Sequence, residues 1–191
     1  MPQAGSVLVV CTGNVCRSPY IERRLRHELA GTGITVTSGG THALVDRPMD
    51  RGSSMLLEAG GVPGQDFRAR QLTRAMVAEA DLVLAAAREH RSAAVRLHPP
   101  AIRTAMTLRD LADLLADVTP AEVMARAASG TWVAQVVSAA QSRRALVPAR
   151  QEAVDITDPF GLPRAVFERM AGEVEAALQV IVPVLRGAPD E

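Results

Sequence analysis

A short apolar segment followed directly by a loop of small and polar residues limits the folds open to this chain. Residues 7–10 have the sequence VLVV, and residues 11–19 have the sequence CTGNVCRSP. A short apolar run rich in β-branched residues predicts a buried strand of a parallel sheet. Gly13 and Asn14 predict a bend, because both reach positive φ readily. Ser18-Pro19 predicts a helix start with Pro at the first helical position. A strand, a tight loop and a helix N-terminus together make an anion site.

Cys11 and Arg17 lie at the two ends of this loop. Loop N–H groups, a helix N-terminus and a guanidinium around the Cys11 thiol should stabilise its thiolate. The same groups suit a phosphate dianion, because Arg17 can hold two of its oxygens in a planar fork. Ser18 can donate a hydrogen bond to the sulfur. The loop therefore predicts a cysteine nucleophile that attacks phosphorus; the alternative is that Cys11 is a buried structural thiol.

Two other kinds of binding site, an ATP-type phosphate loop and a zinc site, are excluded because the residues they require do not occur at the necessary spacing. The ATP-type phosphate loop requires Gly-x4-Gly-Lys-Ser/Thr, which does not occur in this sequence. A zinc site requires about four ligands, whereas the chain has 2 Cys and 4 scattered His. We therefore predict no metal and no organic cofactor.

The string Cys-x-Gly-Asn-x-Cys-Arg-Ser-Pro resembles the signature loop of the low-molecular-weight protein tyrosine phosphatases. The resemblance implies that Cys11 is the nucleophile and that Arg17 and the rest of the loop bind the substrate phosphate. Asn14 is expected to fix the loop shape through side-chain hydrogen bonds to the backbone. The predicted phosphate-binding residues besides Arg17 are Thr12, Gly13, Asn14, Val15, Cys16 and Ser18.

Asp158-Pro159 resembles the general-acid Asp-Pro of the same family, and it precedes the last predicted helix. A carboxylic acid that protonates the leaving oxygen accelerates phosphate-ester cleavage by roughly 10²–10⁴-fold. The role is assigned to Asp158, with Asp155 as the fallback, because spacing does not exclude it. The substrate cleft is expected to include His42 and Phe160. The segment after the second strand has no aromatic residue, although many family members carry one there.

The remaining chain alternates strand and helix patterns. We predict a helix over 19–30, a second strand over 34–38, a third over 80–85 and a fourth over 101–106. Strand, helix and strand within about thirty residues form a right-handed crossover. The predicted fold is α/β: a four-stranded parallel sheet with helices on both faces, in three layers, and with the phosphate-binding loop after the first strand. Such sheets bind ligands at the carboxyl ends of their strands. Further helices are predicted over 88–97 and 164–185.

The chain is predicted to be one domain over residues 1–191, since 191 residues with 48% hydrophobic composition can bury one good core. Residues 117–152 depart from the family pattern and are predicted to be a helical insertion. Thr119-Pro120 with Glu122 predicts a helix start, and that helix should run to about Ala128. We expect Trp132 to pack within a surface helix pair rather than to form a partner-binding patch.

Charge and cysteine content limit the partners. Lys plus Arg equals Asp plus Glu at 21 each, so electrostatics gives no reason to expect nucleic acid or a membrane surface as a partner. The start of the chain lacks a signal-peptide pattern, which favours a soluble protein of the cytoplasm acting on phosphorylated proteins. In that compartment Cys16 either packs in the loop or forms a reversible disulfide with Cys11. The oligomeric state is not predicted.

The predicted function is hydrolysis of phosphotyrosine in proteins through a phosphocysteine intermediate. A protein arginine phosphatase of the same family is the alternative: Phe160 matches its acid loop, but Val15 stands where it has Thr. An arsenate reductase would require Cys residues beyond Cys16, and none occurs. A silent phosphate-binding module would not require Cys11, Arg17 and Asp158 together.

Overall fold

A computed structural model of the chain describes residues 3–126, 129–150 and 154–187. These residues contain a four-stranded parallel sheet with the strand order β2-β1-β3-β4. The strands are β1 (Ser6–Cys11), β2 (Thr35–Gly40), β3 (Leu82–Ala85) and β4 (Ala105–Thr107). The predicted α/β fold with its loop after β1 is confirmed.

Helices connect the strands and follow the last of them. The helices are α1 (Arg17–Glu28), α2 (Arg51–Ala59), α3 (Arg74–Glu79), α4 (Arg88–Leu97), α5 (Leu108–Leu115), α6 (Pro120–Ala125), α7 (Trp132–Ser142) and α8 (Arg164–Arg186). Within the described ranges, no helix combines the length and the apolar character that crossing a bilayer requires.

Alternating side chains of β1 divide the core into two layers, as expected for a strand that is buried on both faces. Val7 and Val9 belong to a large cluster with residues of α1, α2, α5, α7 and α8. Leu8 and Val10 belong to a smaller cluster with residues of α3 and α4. The sheet is therefore covered on both faces, which leaves the carboxyl ends of its strands as the place for a site.

Two predicted boundaries are wrong. Helix α1 begins at Arg17, so Pro19 is its third residue rather than its first. Proline is tolerated there because the first four N–H groups of a helix have no intrahelical partner. The predicted fourth strand over 101–106 is half wrong, because Pro99–Arg103 forms a 3₁₀ helix and only Ala105–Thr107 pairs with β3. Consecutive prolines at 99–100 begin that 3₁₀ turn.

The segment predicted as an insertion contains α6 and α7. Thr119 caps α6 with Glu122 in a capping box, as predicted, but the helix ends at Ala125. The predicted end at Ala128 and the segment's end at Glu152 lie outside the described residues. Trp132 is fully buried in the main core and donates its indole N–H to the Leu185 carbonyl at 2.8 Å, so its packing is not that of a surface helix pair. That this segment is an insertion stays a prediction.

Candidate active site

The loop between β1 and α1 has its carbonyl groups turned outward. Four of them accept backbone hydrogen bonds from a single segment, residues 41–50. The pairs are Thr41 N–H to Cys11 O at 2.9 Å, His42 N–H to Thr12 O at 3.0 Å, Leu44 N–H to Gly13 O at 2.9 Å and Asp50 N–H to Val15 O at 2.8 Å. Since the carbonyls point away from the loop centre, the peptide N–H groups are left to face it. The loop therefore presents donors to an anion, as the sequence predicted.

Asn14 holds the loop in its tight turn. Its φ of 53° lies in the left-handed region, which Asn tolerates better than most residues. The side chain is fully buried; Nδ2 donates to Ser18 Oγ and to Ser38 Oγ, both at 2.8 Å, and Oδ1 accepts from the Arg70 N–H at 2.9 Å. Asn14 was expected to bond to backbone groups, but two of these three bonds are to hydroxyls, Ser18 within the loop and Ser38 on β2, and only the Arg70 N–H is a backbone partner.

A buried hydrogen-bond chain connects Asn14 to the Cys11 sulfur at one end and to the Glu22 carboxylate at the other. Ser38 donates its hydroxyl proton to Glu22, which is only 2% exposed. Ser38 Oγ is then free to accept from Asn14, and Asn14 also donates to Ser18. Ser18 Oγ lies 2.9 Å from Cys11 Sγ, and because it accepts from Asn14 its own proton is available for donation to a Cys11 thiolate. The contact predicted between Ser18 and Cys11 is present.

Arg17 is the first residue of α1, and its side chain is 6% exposed. Its guanidinium donates to Asp158 Oδ2 at 2.7 Å and more weakly to Ile156 O and Thr12 Oγ1, both at 3.4 Å. The guanidinium is therefore fixed at the mouth of the loop by Thr12 of the same loop and by two residues that lie 139 and 141 positions further along the chain.

The two candidate acids have different surroundings. Asp155 Oδ1 accepts the Arg88 N–H at the start of α4, at 2.8 Å, and this makes Asp155 a helix-capping residue. Asp158 lines the same cavity as Cys11, and its side chain is 50% exposed. The Ile156 N–H donates to the Ala86 carbonyl just after β3, at 2.8 Å, and this bond brings the acid loop to the end of the sheet.

A cavity of about 170 Å³ opens above the loop. This volume is below the ~300–1,000 Å³ of typical drug-sized ligand sites, which favours one phosphorylated side chain as the occupant. Asn14 and Ser18, also predicted to contact phosphate, lie fully buried behind the cavity wall. The lining residues are Cys11, Thr12, Gly13, Val15, Cys16, Arg17, His42, Leu44, Asp158 and Phe160.

Sequence reasoning missed His90 in α4, whose side chain is 1% exposed. Its Nε2 lies 2.8 Å from Thr12 Oγ1, the hydroxyl that also accepts from Arg17. Burial, together with the nearby Arg17 charge, lowers the pKa of His90 to about 4, so this imidazole is neutral at physiological pH. No local pattern marks His90, because it lies 78 residues from Thr12.

Cys16 differs from Cys11 in its position and chemistry. It is buried as the N-cap residue of α1, and its carbonyl accepts from the Ser53 hydroxyl at 3.3 Å. Burial raises the pKa of the Cys16 thiol, and the Asp50 carboxylate raises it further. Both cysteines are unbridged. Cys16 is therefore a thiol rather than a thiolate at neutral pH.

Residues 6–123, more than half of the chain, match the family described as low molecular weight phosphotyrosine protein phosphatase. The chain belongs to this family. Its members are phosphoric monoester hydrolases, and the matched residues include the nucleophile loop and Arg17 but end before Asp158.

Two relatives within the low molecular weight phosphatases illustrate the range of similarity. The low molecular weight protein-tyrosine-phosphatase Etp of Escherichia coli K12 is 45% identical over 85 residues, which are 44% of this chain and 56% of Etp. This alignment spans about half of the length of Etp. The probable phosphatase AmsI of Erwinia amylovora is 29% identical over 94% of this chain and 96% of its own.

Solved structures of this phosphatase family share the fold over nearly the whole chain. The AmsI tyrosine phosphatase crystal structure has a TM-score of 0.67 at 28% identity and covers 95% of this chain and 92% of its own. The YwlE arginine phosphatase of Geobacillus stearothermophilus has a TM-score of 0.69 at 24% identity and covers 95% of this chain and 93% of its own. At that identity the YwlE likeness concerns the fold alone.

Proposed function

We propose that this protein is a protein tyrosine phosphatase that hydrolyses phosphotyrosine through a phosphocysteine intermediate. The observation that carries the proposal is the placement of Cys11, Arg17 and Asp158 in one small cavity. A nucleophile, a phosphate-holding guanidinium and a carboxyl group are the three parts that phosphate-ester cleavage with a cysteine requires.

In the first step, the phosphate dianion enters the loop and its oxygens accept the loop N–H groups and the Arg17 guanidinium. Arg17 then exchanges its contact with the Asp158 carboxyl for the phosphate. Cys11 Sγ attacks phosphorus in line, the ester P–O bond breaks, and protonated Asp158 gives its proton to the departing phenol oxygen. The Ser18 hydroxyl stabilises the thiolate before attack and again when sulfur leaves.

In the second step, a water molecule attacks phosphorus on the opposite side from sulfur. Asp158, now a carboxylate, takes a proton from that water, the S–P bond breaks, and phosphate departs from the regenerated thiolate. The site-residue roles given to Cys11, Arg17 and Asp158 are part of the proposal.

Phosphotyrosine is favoured over phosphoarginine by the apolar walls of the cavity. Val15, Leu44 and Phe160 line it, and they offer contact area to an aryl ring. Val15 has no hydroxyl to accept a hydrogen bond from the guanidinium of phosphoarginine, so that substrate would leave buried donors unpaired. Phe160 matches the acid loop of the arginine phosphatases and keeps that function as the second candidate.

The test is phosphate release from phosphotyrosine and phosphoarginine peptides of matched sequence, measured as kcat/KM, with Cys11→Ser as the control. We expect phosphotyrosine to be hydrolysed much faster and Cys11→Ser to lose at least roughly 10³-fold, because the oxygen nucleophile is not activated. Faster phosphoarginine hydrolysis would establish the second candidate. An unchanged rate for Cys11→Ser would reject the mechanism.

Reversible oxidation is proposed as a second property of the same loop. A peroxide oxidises the Cys11 thiolate to a sulfenic acid, and the Cys16 sulfur then displaces water to form the disulfide. The raised pKa of Cys16 makes the second reaction slow. Mass spectrometry after peroxide treatment should detect a Cys11–Cys16 bridge, and overoxidised Cys11 alone would contradict it.

Phosphorylated proteins as partners and a cytoplasmic location stay predictions.

A further inference from the structure

Glu173, near the middle of α8, is the meeting point of three separate elements. Its Oε2 accepts the Thr157 N–H at 2.8 Å, and its Oε1 accepts the Thr157 hydroxyl at 2.9 Å. Arg109 of α5 and Arg169 of α8 each lie 3.2 Å from Oε1. The side chain is only 15% exposed, so these partners replace most of its solvent.

The Thr157 donors, followed by the two arginines, keep Glu173 in its accepting carboxylate form. Burial alone would raise the pKa of Glu173, but the hydrogen bonds from the Thr157 N–H and hydroxyl, together with the Arg109 charge, lower it overall. A carboxylate can accept from both Thr157 donors at once, whereas a protonated carboxyl would have to turn one donor toward another. Glu173 is thus a fixed anchor for Thr157 at neutral pH.

Thr157 immediately precedes Asp158, so the anchor acts at the acid loop itself. Without substrate, the Asp158 side chain is also held by Arg17 at 2.7 Å. In the proposed mechanism Arg17 leaves Asp158 and binds the phosphate. The position of the Asp158 carboxyl then depends on how its backbone is held. Two polar anchors of that backbone are the Ile156 N–H bond to Ala86 and the paired bonds of Thr157 to Glu173.

Resting on the proposed function, we propose that Glu173 is a positioning residue: it holds Asp158 over the leaving oxygen once phosphate has taken Arg17. Glu173 does not touch the cavity and acts only through Thr157. A misplacement of about 1 Å at a reacting group can cost up to about 100-fold in rate. The cost should fall on the proton transfer alone, because the anchors of Cys11 and Arg17 do not include Glu173.

Leaving-group dependence separates proton transfer from the other steps. A phenol departs poorly without protonation, whereas a nitrophenol departs well without it. For Glu173→Gln we expect kcat/KM to fall about 10–100-fold with phenyl phosphate and less than about twofold with p-nitrophenyl phosphate. The matched control is Glu168→Gln on the same helix. Among the described residues Glu168 pairs only with Arg164, at 2.7 Å on the surface, so this variant should match the wild type with both substrates.

A double variant tests whether Glu173 acts through Asp158. In the Asp158→Asn background there is no proton to position, so adding Glu173→Gln should change kcat/KM for phenyl phosphate by less than about twofold. If Glu173→Gln does not fold, Thr157→Val is the alternative variant. It removes the Thr157 hydroxyl bond to Glu173 but keeps the N–H bond, so kcat/KM should fall less, with the same leaving-group dependence.

The inference is overturned if either variant loses activity equally with both substrates, or if the losses multiply in the double variant. Such results would show that Glu173 supports the fold rather than the acid. A wild-type protein that hydrolyses neither phosphate ester would instead reject the proposed function, and the inference with it.

Discussion

The nucleophile loop (residues 11–18) and the acid loop (residues 154–160) meet at one cavity, but they differ in burial. Cys11 and Ser18 are buried, and Asn14 is fully enclosed. On the opposite side, the Asp158 side chain is half exposed, and Phe160 is 54% exposed. The proposed nucleophile, Cys11, therefore lies within the core of the fold, whereas the proposed acid, Asp158, lies at its surface.

The anchors of the two loops differ in kind. The nucleophile loop is held by backbone bonds from residues 41–50 and by the buried chain that ends at Glu22. The acid loop has one such backbone bond, from the Ile156 N–H to the Ala86 carbonyl, and is otherwise held by ionised side chains, Glu173 behind Thr157 and Arg17 in front of Asp158. A nucleophile benefits from one fixed geometry, but an acid must exchange partners and protons during the reaction. The difference in anchoring matches this difference in task.

The largest effect in this comparison is expected for Asp158→Asn. The variant keeps an acceptor for Arg17 but has no proton to give, so we expect kcat/KM for phosphotyrosine to fall about 10²–10⁴-fold. The free energy of unfolding should change by less than about 1 kcal/mol, because the side chain is half exposed. Steady-state kinetics and urea denaturation measure the two effects. Asp155→Asn is the control, since Asn still caps α4; a larger rate loss there would reassign the acid.

The second test concerns the pH dependence of stability that the buried His90, beneath Thr12 of the nucleophile loop, should produce. The pKa of His90 is lowered to about 4 in the folded protein, well below its ordinary value. As pH falls below about 6.5, His90 binds a proton in the unfolded chain but not in the folded protein. The free energy of unfolding is therefore full above that pH and decreases toward pH 4, by up to about 1.4 kcal/mol per pH unit.

The matched variant for this test is His90→Gln, which has no titrating group and can still bond to Thr12. We expect the stability of the wild type relative to the variant to drop by about 2 kcal/mol between roughly pH 7 and pH 5. Urea denaturation at the two pH values gives the difference. A constant difference would mean that His90 titrates normally in the folded state.

The third test removes one member of the buried chain. Ser38→Ala removes one hydrogen-bond partner from Glu22 and one from Asn14, so we expect a loss of roughly 1–2 kcal/mol in the free energy of unfolding. Ser54→Ala is the control, because the Ser54 hydroxyl bonds only to the exposed Arg51 carbonyl. Equal effects in chemical denaturation would contradict the idea that the chain under the nucleophile loop is a stability element.

The smallest effect is expected at the outer wall of the cavity. Phe160→Ala removes a half-exposed ring that lines the cavity, so we expect KM for a phosphotyrosine peptide to rise about two- to tenfold while stability stays unchanged. Phe160→Leu should recover part of the loss. A fall in kcat alone, with KM constant, would indicate that the ring positions Asp158 rather than the substrate.

Local chemistry made much of the fold predictable. The β1 sequence, the cap at Thr119 and the helical pattern of α8 are each decided by neighbours in sequence. The same locality explains why the nucleophile loop was predictable, since Cys11 to Ser18 spans one tight turn. Where the chain departed from prediction, as in the 3₁₀ helix before β4, consecutive prolines overrode a strand-like composition.

The α/β fold and the candidate phosphate-binding loop between Cys11 and Arg17 were predictable from the sequence, because each strand, turn and helix start depends on residues within a few positions of one another. Only the tertiary structure decided which aspartate faces Arg17, that His90 lies under Thr12 and that Glu173 holds Thr157. These contacts join elements that are distant in the chain and brought together by packing on the sheet. No spacing in the sequence encodes such distances, since they are set by how α4 packs against β1 and β3 and how α8 packs against α1 and α5.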